Sequence, residues 1–246
     1  MAIDTSGNAG ARVTFDGLAA PNNKMSFQTW ILPVSWDPVQ ADGTFPSIGE
    51  LHDGSVDDWL FNISKSGSNY FLHYVRTFST TNGIWTVPAP SLALHAIQIS
   101  YDASAVGNNP TILVDGISQT VTRVTAPVGT ARVSGTKYSF GSFGCGVATG
   151  GGTFRGKNQD PRIYNNRILT ASEWAALAAS SRTIEMNDNG LTFHAPLMYA
   201  ANRYPAIPFA GTLGATDYTY DRIGGVQGTP AGSPSGAADM VYGTGF

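Results

Sequence analysis

Charge is what this chain has least of. Only 13% of its 246 residues are Asp, Glu, Lys or Arg, about half the roughly 25% of ordinary soluble domains. A surface so poor in charge must be rich in hydroxyls and amides, or covered by other subunits. The formal net charge is −3 and no basic cluster occurs, which argues against nucleic acid held through its phosphates. Cys145 is the single cysteine, so an internal disulfide framework is excluded. It lies between Gly144 and Gly146 with no Lys, Arg or His beside it to depress its pKa, and reads as an inert thiol. No apolar run approaches the roughly 20 residues of a membrane helix. The opening MAIDTSGNAGARV lacks a basic stretch followed by an apolar one, so classical export is not expected. Assembly in a reducing cytoplasm is.

What is present is most legible in residues 154–182. Thr170 is a candidate N-cap with Glu173 three residues on, the spacing of a capping box, and Leu169 and Trp174 flank it as a hydrophobic staple. Residues 171–179 contain only Ala, Ser, Leu, Glu and Trp, which predicts a helix of two to three turns. Just before it, residues 160–164 alternate as a strand and Asn165-Asn166 supplies turn chemistry.

The rest reads as strands. Residues 12–17 and 25–33 give two. Residues 59–63 and 70–78 form a hairpin around the five-residue loop 65–69, and residues 94–101 alternate with His95, Ile97, Ile99 and Tyr101 on one face. Residues 112–114 run into Asp115-Gly116, the strongest hairpin signal in the chain. The helix start, with Phe154, Gly156, Asp160, Arg162, Ile163, Tyr164, Asn165, Arg167, Leu169, Thr170 and Glu173, resembles the closing segment of laminin G-like jelly rolls of the concanavalin A-like superfamily. Asn166 is one residue extra and Pro161 replaces an apolar residue. Phe15, Asp16, Gly17, Phe27, Trp30, Ile31 and Pro33 resemble that family's opening strands, and residues 100–102 with 114–116 its central hairpin.

The resemblance implies an all-β, two-sheet antiparallel jelly-roll sandwich with one short helix. The domain is expected over residues 12–199, with an N-terminal arm at 1–11 and an extended C-terminal arm at 200–246. Residues 190–197 read as a further strand, expected beside the strand at residues 12–15. The family includes lectins, hydrolases, adhesion modules and structural proteins, so function has to come from the site.

Glycosidases of this fold class carry two carboxylates on alternate residues of one strand, and no such motif occurs. Glu50, His52, Asp53, Asp57 and Asp58 form the densest acidic cluster, and Gly54 makes it read as a solvated loop. No Ser/His/Asp constellation can be assembled from sequence, and His95 reads as a hydrogen-bonded core histidine. The resemblance implies Ca²⁺ as a possible cofactor, with Asp16, Asp115 and residues 187–190 as oxygen donors. Asp-Gly and Asn-Gly are also what tight turns require, so no cofactor is predicted.

On residues 70–78, Tyr70, Tyr74 and Phe78 share one parity and Phe71, His73 and Val75 the other. One set is core; the outward one could be a glycan platform, a subunit interface or plain surface. Tyr70, Tyr74 and Phe78 are the candidate stacking residues. In residues 200–246, Tyr204, Ile207, Phe209, Tyr218, Tyr220, Tyr242 and Phe246 are too sparse for a core of their own and are candidate interface residues. The leading expectation is therefore a non-enzymatic virion protein, such as a bacteriophage capsid decoration protein, bound to neighbouring subunits and forming a homo-oligomer. The alternative is a lectin-like module that binds a surface glycan, and a polysaccharide hydrolase ranks third.

Overall fold

The computed structural model describes residues 2–4, 12–17, 23–37, 46–141, 152–179, 191–194, 211–212, 219–220, 227–231 and 235–237. In chain order the elements are β1 (Ala2–Asp4), β2 (Arg12–Asp16), β3 (Lys24–Ser35), β4 (Ser47–His52), β5 (Asp57–Ser66), β6 (Asn69–Arg76), β7 (Gly83–Pro88) and β8 (His95–Asp102). There follow β9 (Thr111–Val114), β10 (Ile117–Ser118), β11 (Thr122–Thr125), β12 (Lys137–Phe140), β13 (Arg155–Asn165) and the helix α1 (Ala171–Ala179). Then come β14 (Leu191–His194), β15 (Gly211–Thr212), β16 (Thr219–Tyr220), β17 (Gln227–Ala231) and β18 (Ser235–Ala237).

Two antiparallel sheets face each other. Sheet A runs β10-β9-β8-β3-β13-β1-β18-β15 with β14 also on β13, and sheet B runs β11-β7-β6-β5-β4-β12-β2-β17-β16. The alternation of side chains along each strand sends Met25, Phe27, Ile31, Ile97, Ile99, Tyr101 and Ile163 inward from sheet A. They meet Val13, Phe15, Trp59, Phe61, Leu72, Tyr74, Trp85, Tyr138 and Phe140 from sheet B in one buried cluster. Aromatic edges and faces interlock across the gap: the Phe27 and Trp59 rings are 5.3 Å apart, Phe15 and Phe193 4.9 Å, and Trp85 and Tyr101 4.9 Å. Such pairs add about 0.5–1.5 kcal/mol each beyond the area they bury.

The helix lies against the outside of sheet A, where Trp174 and Leu177 pack on Leu113, Tyr164 and Leu169. Its start is the expected capping box. Glu173 N–H donates to Thr170 Oγ1 at 3.3 Å and Thr170 N–H donates to Glu173 Oε2 at 2.8 Å. The two departures from the laminin G-like pattern fall where the ladder is already broken. Pro161 sits in the register shift between Gln159 and Arg162, beside Asp160 at φ 55°, where no ladder N–H is required of it. Asn166 takes φ 59°, a left-handed turn conformation that asparagine tolerates.

Three local expectations are corrected. The β5–β6 hairpin closes through Gly67-Ser68 alone, with Ser66 opposite Asn69 and Gly67 at φ 60°, rather than through five residues. β14 pairs with β13 in sheet A, not with β2 in sheet B; it meets β2 only face to face, through the Phe193 and Phe15 rings. The backbone of residues 2–4, read as part of an arm, is hydrogen-bonded to β13 and β18. Beyond residue 200, β17 adds to β2 and β15 pairs with β18.

Two substitutions test this packing. Thr170→Ala is expected to cost about 1 kcal/mol through loss of the cap, read as a shift in denaturant midpoint. A Cβ on Gly83 would come within 2.2 Å of the Trp85 ring. Gly83→Ala is therefore expected to destabilise by about 1–3 kcal/mol, and an unchanged midpoint would mean that Trp85 does not lie over Gly83.

Candidate functional site

The outer face of sheet B is the best-formed candidate, and the β5–β6–β7 register creates it. Asn62 stands opposite His73, which stands opposite Thr86; one step along, Ser64 stands opposite Phe71, which stands opposite Pro88. Residues two apart on a strand share a face, so Phe71 and His73 rise side by side between Ser64, Asn62 and Thr86. The inward parity carries Leu72 and Tyr74, both fully buried. The ring set for an outward platform is therefore Phe71 with His73. Tyr74 and Phe78 are corrected from stacking residues to core, with 0% and 4% exposure. Tyr70 is half-buried and engaged: its hydroxyl donates to Asp37 Oδ1 at 2.5 Å, and Lys65 Nζ sits 4.7 Å from its ring centroid.

Hydrogen bonding fixes the polarity of this face. His73 Nδ1 lies 2.6 Å from Asn62 Oδ1. An amide oxygen only accepts, so Nδ1 carries the proton and donates. Burial holds the His73 pKa down at about 4, so at neutral pH the ring is uncharged and Nε2 keeps a lone pair. The same bond turns the Asn62 amide nitrogen into the remaining donor. An acceptor, a donor and the Thr86 hydroxyl thus lie beside a half-buried aromatic ring. Paired donors and acceptors next to an apolar ring suit a ligand with neighbouring hydroxyls and C–H faces.

No family model matches the chain, and no curated protein matches it in sequence. Solved structures do match it in shape. A heptameric SAP-like pentraxin from Limulus polyphemus superposes with a TM-score of 0.64 at 10% identity, over 97% of this chain and 95% of its own. A protein of Bacteroides ovatus described, provisionally, as carbohydrate binding superposes with a TM-score of 0.60 at 14% identity, over 94% of this chain and 61% of its own. The fold is a concanavalin A-like jelly-roll sandwich. At these identities the likeness shows the architecture alone.

Nearer the middle of sheet B the outer face is polar but closed. Glu50 and Ser139 are fully buried and His52 is 2% exposed. These residues are on or beside strand β4, which corrects the solvated-loop reading: Gly54 belongs to the turn after the strand, not to the segment that carries Glu50 and His52. Gly54 N–H donates to His52 Nδ1 at 3.0 Å, so that nitrogen is the acceptor and Nε2 bears the proton. Nε2 then donates to Ser139 Oγ at 2.9 Å, and Ser139 shares a hydrogen bond of 2.8 Å with Thr14 Oγ1. This direction is the reverse of what activates a serine, which must donate to the imidazole. Burial, the largest cause, with the nearby Lys137 and Arg12 charges, lowers the His52 pKa to about 4.

The acidic cluster disperses into structural roles. Asp53 accepts from the Ser55 and Val56 N–H groups and pairs with Arg132. The backbone bonds, ahead of Arg132, hold its pKa well below the usual carboxylate range. Asp58 is fully buried, accepts from Gly135 N–H at 2.8 Å, and has Arg132 Nε 2.9 Å from its other oxygen. Of the calcium candidates, Asp16 pairs with Lys137 at 2.9 Å and Asp115 with His95 at 2.7 Å, in different sheets. Residues 187–190 lie outside the described residues, as does Cys145. Among the described residues no group of three or more His, Cys, Asp or Glu converges to hold a metal. No helix is long and apolar enough to cross a membrane. Of the residues expected at an interface, Tyr204, Ile207, Phe209, Tyr218, Tyr242 and Phe246 fall outside the described residues, and Tyr220 belongs to β16.

His95 is not the core histidine the alternation suggests, since it sits half-buried at the start of β8, tied to Asp115. Sequence pattern could not have found this contact, because the partner lies on a different turn.

Two histidines held neutral have a measurable consequence. In the unfolded chain each takes up a proton near pH 6.5, but in the fold each resists protonation until about pH 4. Between these values the unfolded state binds more protons, so stability falls with acidification. The melting temperature should drop as pH is lowered from 6.5 towards 4, and the drop should be smaller in His73→Gln. An identical pH profile for that variant would show that His73 is not held neutral.

Proposed function

We propose that this chain is a carbohydrate-binding, lectin-like module whose ligand lies on the outer face of sheet B over Phe71 and His73. The observation that carries the reading is the polarity of the Asn62–His73 pair: one bond of 2.6 Å presents an acceptor and a donor together beside an aromatic ring and Thr86. Neutral sugars offer vicinal hydroxyls that can donate and accept at once, and apolar C–H faces that pack on rings. The low charge of the chain, 13%, favours a neutral ligand over an anionic one. The pentraxin-like sandwich supports it as an architecture. The separate description of the Bacteroides ovatus protein as carbohydrate binding supports it by analogy. The virion role that leads the sequence reading has no counterpart among these structures.

A glycan array followed by titration calorimetry tests the proposal. Phe71→Ala and His73→Ala are each expected to weaken binding at least tenfold, with the fold checked by circular dichroism. Since His73 is neutral down to about pH 4, affinity should be flat between pH 6 and 8 and decline only as pH approaches that value. Binding that survives both substitutions, or no binding to any glycan, refutes the platform.

A further inference from the structure

A second constellation lies at the end of sheet A. His95 Nδ1 is 2.7 Å from Asp115 Oδ2, and His95 Nε2 is 3.1 Å from Ser91 Oγ. The carboxylate only accepts, so Nδ1 carries the proton and Nε2 is left as the acceptor for the Ser91 hydroxyl. This is the productive polarity for drawing a proton from a serine, and the opposite of the His52–Ser139 pair. The arrangement is held firmly. Asp115 is locked to Ala96 twice, its N–H donating to Ala96 O at 2.9 Å and its Oδ1 accepting from Ala96 N–H at 2.8 Å, so that Oδ2 is aimed at the imidazole. Its left-handed backbone, φ 53°, is the one the tight turn at Asp115-Gly116 requires, so the turn that joins β9 to β10 also places this carboxylate.

Ser91 is exposed, and so are Leu92 and Ala93 after it, while Leu94 is half-buried. The backbone N–H groups of Leu92 and Ala93 make no hydrogen bond among the described residues. They are donors in the same turn as the hydroxyl, available to an oxygen that gains negative charge. Leu92, 54% exposed, adds an apolar contact without enclosing a pocket.

We propose that Ser91, His95 and Asp115 form an acyl-transfer site that hydrolyses esters of short carboxylic acids. Ser91 Oγ attacks the ester carbonyl carbon while its proton passes to His95 Nε2. The alcohol C–O bond then breaks, and His95 returns that proton to the departing oxygen. Water attacks the acyl-serine through the same imidazole, which takes the water proton and delivers it to Ser91 Oγ as the carboxylic acid leaves. Asp115 is a positioning residue that fixes the tautomer. The open setting favours an acetyl-sized acyl group over a long chain.

The test uses the full chain with a fluorophosphonate probe, read by intact mass and peptide mapping, beside p-nitrophenyl acetate hydrolysis. One adduct is expected, on Ser91, absent from Ser91→Ala. Its rate is expected to fall at least a hundredfold in His95→Gln. Asp115→Asn should give a similar loss, because an amide can donate to Nδ1 and so select the wrong tautomer. Melting temperatures report whether each variant folds, and Ser91→Ala, at an exposed position, should melt with the parent. No adduct, an adduct elsewhere, or a Ser91 adduct indifferent to His95 overturns the proposal. Glycan binding is measured on the same variants and should not change, so this site and the platform stand or fall separately.

Discussion

The register between β5 and β6 is the constraint on which the outer face of sheet B depends. Side chains alternate with period two, so a slip of one residue would exchange every inward group for an outward one. It would carry Leu72 and Tyr74 into solvent and push His73 and Phe71 against Trp59 and Phe61. The two-residue turn at Gly67-Ser68 pins that register, because Gly67 at φ 60° supplies the left-handed backbone that a tight hairpin needs. The interior penalises the alternative as well. Tyr74 stacks on Trp85 at 5.9 Å and meets Tyr101 at 5.8 Å, contacts that a half-polar strand face could not replace.

Few charges are present, and those described are placed where loops must be held. Arg132 reaches both Asp53 and Asp58, tying the segment before β12 to the turn after β4 and to the start of β5. Lys137 pairs with Asp16 and Lys24 with Asp102, each between neighbouring strands. Arg167 pairs with Glu173 beside the cap of α1. Arg76 is an exception, fully buried with no carboxylate and donating instead to the Asp58 and Arg132 carbonyls. The same economy applies to histidine. His52 accepts at Nδ1 while His73 and His95 donate there, so identical side chains differ in role through which ring nitrogen meets a donor and through what stands at the other.

How much of this could be read beforehand follows the range of each interaction. The helix, its capping box and the turn at Asp115-Gly116 depend on neighbours within four residues, and these were legible. The parity of β6 was not, since both faces of the strand carry aromatic residues and only the packing of β5 and β7 decides between them. Glu50 and His52 were hidden by Asp53 and Gly54, whose turn signal is real but begins one residue later. The Ser91–His95–Asp115 contact needs β9 folded back on β8, and no local pattern encodes that. The β14 strand was recognised as a strand, and its partner was mistaken because pairing is a property of the whole sheet.

The pairing of β1 sets a temporal order on the molecule. Ala2 is opposite Ala237 and Ile3 opposite Asn158, so β1 cannot take its place between β13 and β18 until β18, far along the chain, has left the ribosome. Contacts between such distant residues make for slow folding. While it waits, the β13 edge of sheet A stays exposed, and an exposed edge invites pairing with another nascent copy.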